Sequence, residues 1–152
     1  MTALKSRRHP RVLMIDVGGG SVKLMTTEQR DTRSFDTGNS LTAKQMASRV
    51  RAETVDWSYD RISIGYPGKV VDGRPVEDPP RVGRGWVDFD YQKALGRPVR
   101  IINDAALQAL SAYRGGRMLF IGLGTGLGSA LVADNVLVPL ELGLLRFETR
   151  HS

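Results

Sequence analysis

At 152 residues, with 41% apolar and 25% charged side chains, the chain has the composition of an ordinary globular protein with room for one core or two small ones. It contains no cysteine, which excludes disulfides and thiolate metal sites and agrees with a reducing compartment. The net charge of +6 attracts polyanions, but Lys5, Arg7 and Arg8 crowd a basic N-terminal tail, residues 1–10, and the remaining cations are scattered among acids. That tail reads as a solvated segment, with polyanion binding as the alternative. No helix-turn-helix, zinc finger or aromatic RNA-binding motif is present, so nucleic acid is not an expected partner. No apolar run is long enough to cross a bilayer, and the N-terminus lacks the apolar centre of a secretory signal; a cytoplasmic protein without a membrane partner is expected.

In chain order, Val12–Asp16 and Val22–Thr26 read as two strands joined by "VGGGS", with a weaker third strand at Thr32–Asp36. Thr42 is a credible N-cap for a helix over 43–55, whose Met46, Val50 and Val55 fall on one face. "RISIGY" reads as a short buried strand ended by Pro67-Gly68. The stretch 67–85 holds four of the seven prolines and must be loop or edge hairpin. "FDYQKALG" predicts a short helix stopped by Gly96, and "PVRII" a strand. Asn103 or Asp104 then caps a helix over 105–114. "RMLFIGLG", "GSALVAD" and "NVLVPLE" give three further strands, with a tight turn at Asp134-Asn135. A meander followed by alternating helices and strands predicts an α/β domain with a mixed sheet.

The apolar strand that opens the chain runs into Asp16 and then Gly18, Gly19 and Gly20. Glycines between strands let backbone amides approach an anion with no Cβ in the way, as in a phosphate cradle. Asp16 would hold a divalent cation or its waters beside that phosphate, and Lys23 would add charge from the return strand. The same residues also suit a plain hairpin, but the device recurs as "GLGTGLGS" with Gly124, Thr125 and Gly126, which favours the phosphate reading. Neither copy is a Walker A loop, and each leads into a strand where a Rossmann turn would lead into a helix. "PVRIINDAAL" delivers Asn103 and Asp104 to the carboxyl end of a strand, where α/β proteins bind ligands. Asp104 there would accept a proton from a sugar hydroxyl attacking a phosphoryl group, or serve as a helix cap, or both.

The segments "DVGGGSVK", "SIGYPGKVVDGRPV", "GRGW", "ALGRPVRIINDAALQAL" and "LFIGLGTGLGSALVADNVLVPLELGLL" together resemble the ROK family of sugar kinases and repressors, and within it the polyphosphate glucokinase branch. The resemblance is collinear over nearly the whole chain. It implies the actin-like ATPase fold, in which two ribonuclease-H-like domains close on a phosphoryl donor and a sugar. The first domain would span residues 11–116 around a five-stranded mixed sheet, and 117–152 would begin a second, truncated one. The implied activity is glucokinase-like transfer from polyphosphate or ATP, with Mg²⁺, to the 6-hydroxyl of glucose or a related hexose. By this resemblance Asp16, Gly18 and Gly19 match the first phosphate motif and Gly124, Thr125 and Gly126 the second. Asn103 and Asp104 match the sugar-binding asparagine and catalytic base, Pro67-Gly68 a loop lining the sugar pocket, Glu141 the glutamate of the E-x-G-H sugar motif, and Lys23 a lysine of the polyphosphate-using branch.

Three positions depart from the pattern. Gly20 replaces a hydroxyl residue, with Ser21 adjacent; Arg81 stands in place of a sugar-binding asparagine; Leu144 replaces the histidine of E-x-G-H. Each lost buried hydrogen bond costs about 1–3 kcal/mol, so a non-catalytic sugar- or phosphate-sensing module and an inactive fragment are the rival readings. A second sheet left partly uncovered, notably around "VLVPLELGLL", predicts self-association, as a homodimer, or poor solubility.

Overall fold

The computed structural model describes residues 9–28, 31–124 and 126–145. Along β1 (Val12–Val17) the alternation of a strand sends Leu13, Ile15 and Val17 into full burial and leaves Val12, Met14 and Asp16 on the opposite, partly open face. β2 (Ser21–Thr26) and β3 (Arg33–Asp36) continue antiparallel from it. β4 (Arg61–Tyr66) pairs parallel with β1, the minimal hairpin β5 (Val70–Val71) and β6 (Arg74–Pro75) follows, and β7 (Val99–Asn103) pairs parallel with β4. The order β3-β2-β1-β4-β7 is the expected five-stranded mixed sheet.

Its buried face is covered by α1 (Ala43–Glu53) and α2 (Tyr91–Leu95). A capping box starts α1: the Gln45 amide donates to Thr42 Oγ1 while Gln45 Oε1 accepts from the Thr42 amide. Ala43, Met46, Ala47 and Val50 face the core. Val55, placed by periodicity on that face, is instead 84% exposed: the helix ends at Glu53, and its C-cap Thr54 leaves the helical conformation (φ −114°, ψ 19°) while its amide and hydroxyl still donate to the Val50 carbonyl. α2 is shorter than expected, running from an Asp90 cap to Gly96 in the left-handed conformation (φ 68°). The proline-rich stretch wraps Trp86, fully buried, whose backbone amide donates to Asp78 and whose indole N–H donates to the Leu41 carbonyl.

α3 (Asp104–Ala112) follows β7 without a loop; Asn103 is its N-cap and Asp104 lies within its first turn. Beyond it β8 (Met118–Leu123), β9 (Leu127–Ala133) and β10 (Val136–Leu140) form an antiparallel meander in the order β10-β9-β8. Asp134 and Asn135, both at positive φ, make the tight β9–β10 turn. One face of this sheet, with Ala130, Val132, Met118, Phe120 and Leu137, packs on Ala109 of α3. The other exposes Leu119, Ile121 and Leu123. α3, read from sequence as part of the first unit, therefore touches both sheets. Among the described residues no helix is long and apolar enough to cross a membrane.

Candidate active site

Because β1, β4 and β7 are parallel neighbours, their carboxyl ends share one edge of the sheet. The register sets Asp16 beside Gly65 and Tyr66 beside Asn103, so the aspartate near the end of β1 and the Asn103-Asp104 pair at the junction of β7 and α3 arrive at the same edge. Gly65 is what lets them approach. A Cβ there would lie 3.3 Å from Asp16 Oδ1, 3.3 Å from the Asp104 Cα and 2.7 Å from Leu107 Cδ2. Sequence reading missed this residue, although a glycine inside a buried strand marks a close approach.

The two carboxylates have different surroundings. Asp16 Oδ2 accepts from Gln108 Nε2 at 3.3 Å, while Oδ1 is buried with no hydrogen-bond partner. Burial raises the Asp16 pKa, opposed by the Gln108 bond and by Lys23, its cross-strand partner on β2. Burial also raises that of Asp104; the bond from the Ala105 amide to its Oδ1 (2.7 Å) opposes the shift, and the negative charges of Asp16 and Glu141 add to it. Glu141 thus reaches the field of Asp104 from the end of the second sheet, where it is exposed and precedes a short 3-10 turn, Leu142–Leu144. Asn103 Oδ1 accepts from the Ala106 amide at 3.2 Å, so part of its capacity goes to capping α3.

The first glycine turn is braced from β3's end: Thr37 Oγ1 donates to the Gly18 carbonyl at 2.8 Å and the Thr37 amide to the Gly20 carbonyl at 3.0 Å. The amides of Gly18 and Gly124 close their own turns, donating to the Ser21 and Gly126 carbonyls. None of Gly18, Gly19, Gly20, Gly124 and Gly126 is in the left-handed region. Gly20, Gly124 and Gly126 give room, since a Cβ at any of them would meet nothing within 4 Å, whereas a Cβ at Gly18 would crowd the Ser21 carbonyl at 3.0 Å. Thr125 lies outside the described residues. Pro67 and Gly68 follow β4 half-buried, Gly68 so close to the Tyr66 ring that a Cβ would lie 2.9 Å from it. Two surface concavities, of about 340 and 610 Å³, lie beside α1 and include none of the candidate residues.

Mg²⁺ is typically held by one or two carboxylates together with waters and substrate phosphates. A buried, unpartnered carboxylate oxygen on Asp16, at a sheet edge beside open glycine turns, fits that donor set. Among the described residues no group of three or more His, Cys, Asp or Glu offers a complete cage, so such an ion would take its other oxygens from water and phosphate.

No family model matches the chain. Kanosamine kinase of Amycolatopsis mediterranei is 31% identical over a 160-residue alignment covering 93% of this chain and 52% of that protein. The inorganic polyphosphate/ATP-glucomannokinase of Arthrobacter sp. strain KM superposes with a TM-score of 0.74 at 27% identity, covering 92% of this chain and 65% of that one. The ROK hexokinase of Thermus thermophilus shares the fold, with a TM-score of 0.61 at 22% identity over 88% of this chain and 50% of that one. The chain spans about half the length of the curated relative it matches.

Proposed function

The chain belongs to the ROK family of sugar kinases, and we propose that it serves glucokinase-like phosphoryl transfer from polyphosphate or ATP to the 6-hydroxyl of glucose or a related hexose. The observation that supports this best is the convergence of Asp16, Gly65 and Asp104 at one sheet edge, with the two glycine turns leaving space nearby. Asp104 is the general base. Its raised pKa brings a carboxylate closer to the operating pH, so that it takes the hydroxyl proton more readily as the oxygen attacks. Asn103, Glu141 and the Pro67-Gly68 loop orient the sugar. Gly18, Gly19, Gly20, Gly124, Thr125, Gly126 and Lys23 receive the phosphates. Asp16 would hold Mg²⁺ directly or through water; when bound, the ion neutralises charge on the phosphates. Residues 11–116 form the first unit of this site and 117–152 begin the second, in a cytoplasmic protein that self-associates through the uncovered face of its second sheet.

Arg81 and Leu144, at positions where the family contacts sugar, favour one other reading: a module that binds sugar or phosphate without turning it over. The test is hexose 6-phosphate formation by the purified chain with Mg²⁺, either ATP or polyphosphate, and glucose, mannose or kanosamine in turn. Sugar-dependent donor consumption supports the kinase. A ligand-induced thermal shift without turnover replaces it with the sensor.

A further inference from the structure

Gln108 lies in the segment "ALGRPVRIINDAALQAL" but has no role in the sequence pattern, yet it is the hydrogen-bond partner of Asp16. It lies four residues after Asp104 on α3, so the two share a helix face one turn apart. Its Nε2 donates to Asp16 Oδ2, turning that oxygen toward the helix and leaving Oδ1 buried and unpartnered beside Gly65, where Leu107 Cδ2 and the Asp104 backbone also approach. On its other side Gln108 Oε1 lies 3.5 Å from where a Cβ of Gly122 would stand, beside Phe120, so a glycine of β8 gives the amide its seat. The side chain thus spans from the carboxylate of the first sheet to the backbone of the second.

We infer that Gln108 is a positioning residue: it fixes the Asp16 carboxylate so that one oxygen alone is presented to a divalent cation. This rests on the reading of Asp16 as a cation ligand. Hydrogen-bond partners of metal-binding carboxylates typically contribute 10–100-fold to metal affinity by holding the ligand's orientation. A carboxylate at a strand end with no such partner samples several rotamers, and the cation must select one of them.

The test uses Mn²⁺ alone as the probe, titrated into the whole chain and followed by electron paramagnetic resonance, with wild type compared against Gln108→Met, which keeps length and loses the donor, and Gln108→Ala, which settles the matter if the methionine variant does not fold. Affinity should fall roughly tenfold with the thermal midpoint nearly unchanged. A metal-free readout runs beside it: the Gln108 side-chain amide resonances in ¹⁵N-labelled protein should shift on Asp16→Ala. If Mn²⁺ binds the Gln108 variants as tightly as wild type, or the amide resonances ignore Asp16→Ala, the inference is overturned while the cation reading stands. If wild type itself binds no Mn²⁺ although the amide senses Asp16→Ala, the cation reading fails and the positioning role falls with it.

Discussion

The two sheets begin alike, strand then glycine turn then strand, and are buried very differently. In the first, Leu13, Ile15, Val17, Val22, Leu24, Ile62 and Ile64 are sealed under two helices in one continuous core. In the second, apolar burial among the described residues is confined to Ala130 and Val132 against Ala109, and Leu119, Ile121 and Leu123 are more than half exposed. The same local chemistry makes both turns, but apolar burial, the dominant favourable term in folding, is concentrated around the first. The candidate site lies along the seam, with Asp16 and Asp104 on the well-packed side and Glu141 reaching over from the sparse one. The candidate aspartates thus stand on the more deeply buried sheet, and the second sheet supplies the more exposed wall.

The contrast can be broken at several points. Trp86→Ala empties the largest fully buried side chain of the first core and should cost about 3–5 kcal/mol in chemical denaturation; a loss under about 1 kcal/mol would mean the first core is not where stability resides. Gly65→Ala forces Leu107 or the α3 backbone to move and should cost about 1–3 kcal/mol. It should also lower any phosphoryl transfer, because the displaced groups include Asp104; full activity would show that the spacing of the two aspartates is not critical. Thr42→Ala removes half of the α1 capping box and should cost about 1 kcal/mol, read as a lower thermal midpoint. Ile121→Lys, on the exposed face of the second sheet, should change stability by no more than about 0.5 kcal/mol and reduce self-association in sedimentation. A large destabilisation there would show that this face is covered in solution.

Local devices were legible in the sequence. The Thr42 cap, Gly96 as a helix stop and the Asp134-Asn135 turn are each written within a few residues, and the structure contains all three. So is the placement of Asp16 and Asp104 at strand ends, since an apolar run closing on an acid is visible without knowing its neighbours. Val55 was misread because the apolar period continues past Thr54 and nothing in the pattern registers that the backbone leaves the helix at that residue. Gly65 and Gln108 were missed for a different reason. Their meaning depends on Asp16, which is 92 residues from Gln108 along the chain, and only the parallel register of β1, β4 and β7 brings the three together. A polar residue on a helix reads as solvent-facing until the carboxylate it binds is placed beside it.

The central claim, that Asp104 is a carboxylate kept for chemistry at the expense of stability, is tested most directly by Asp104→Asn measured for activity and thermal midpoint together. Since its pKa is raised in the fold above the ordinary 3.8, the group binds its proton more tightly folded than unfolded. Its favourable contribution is therefore present below pH 3.8 and is lost as pH rises through the folded value. Near pH 7 the asparagine variant should melt higher than wild type, its advantage vanishing in acid, while phosphoryl transfer falls by about 10²–10⁴-fold. An asparagine variant that melts lower at neutral pH, or that still transfers phosphoryl groups at the wild-type rate, would contradict the account.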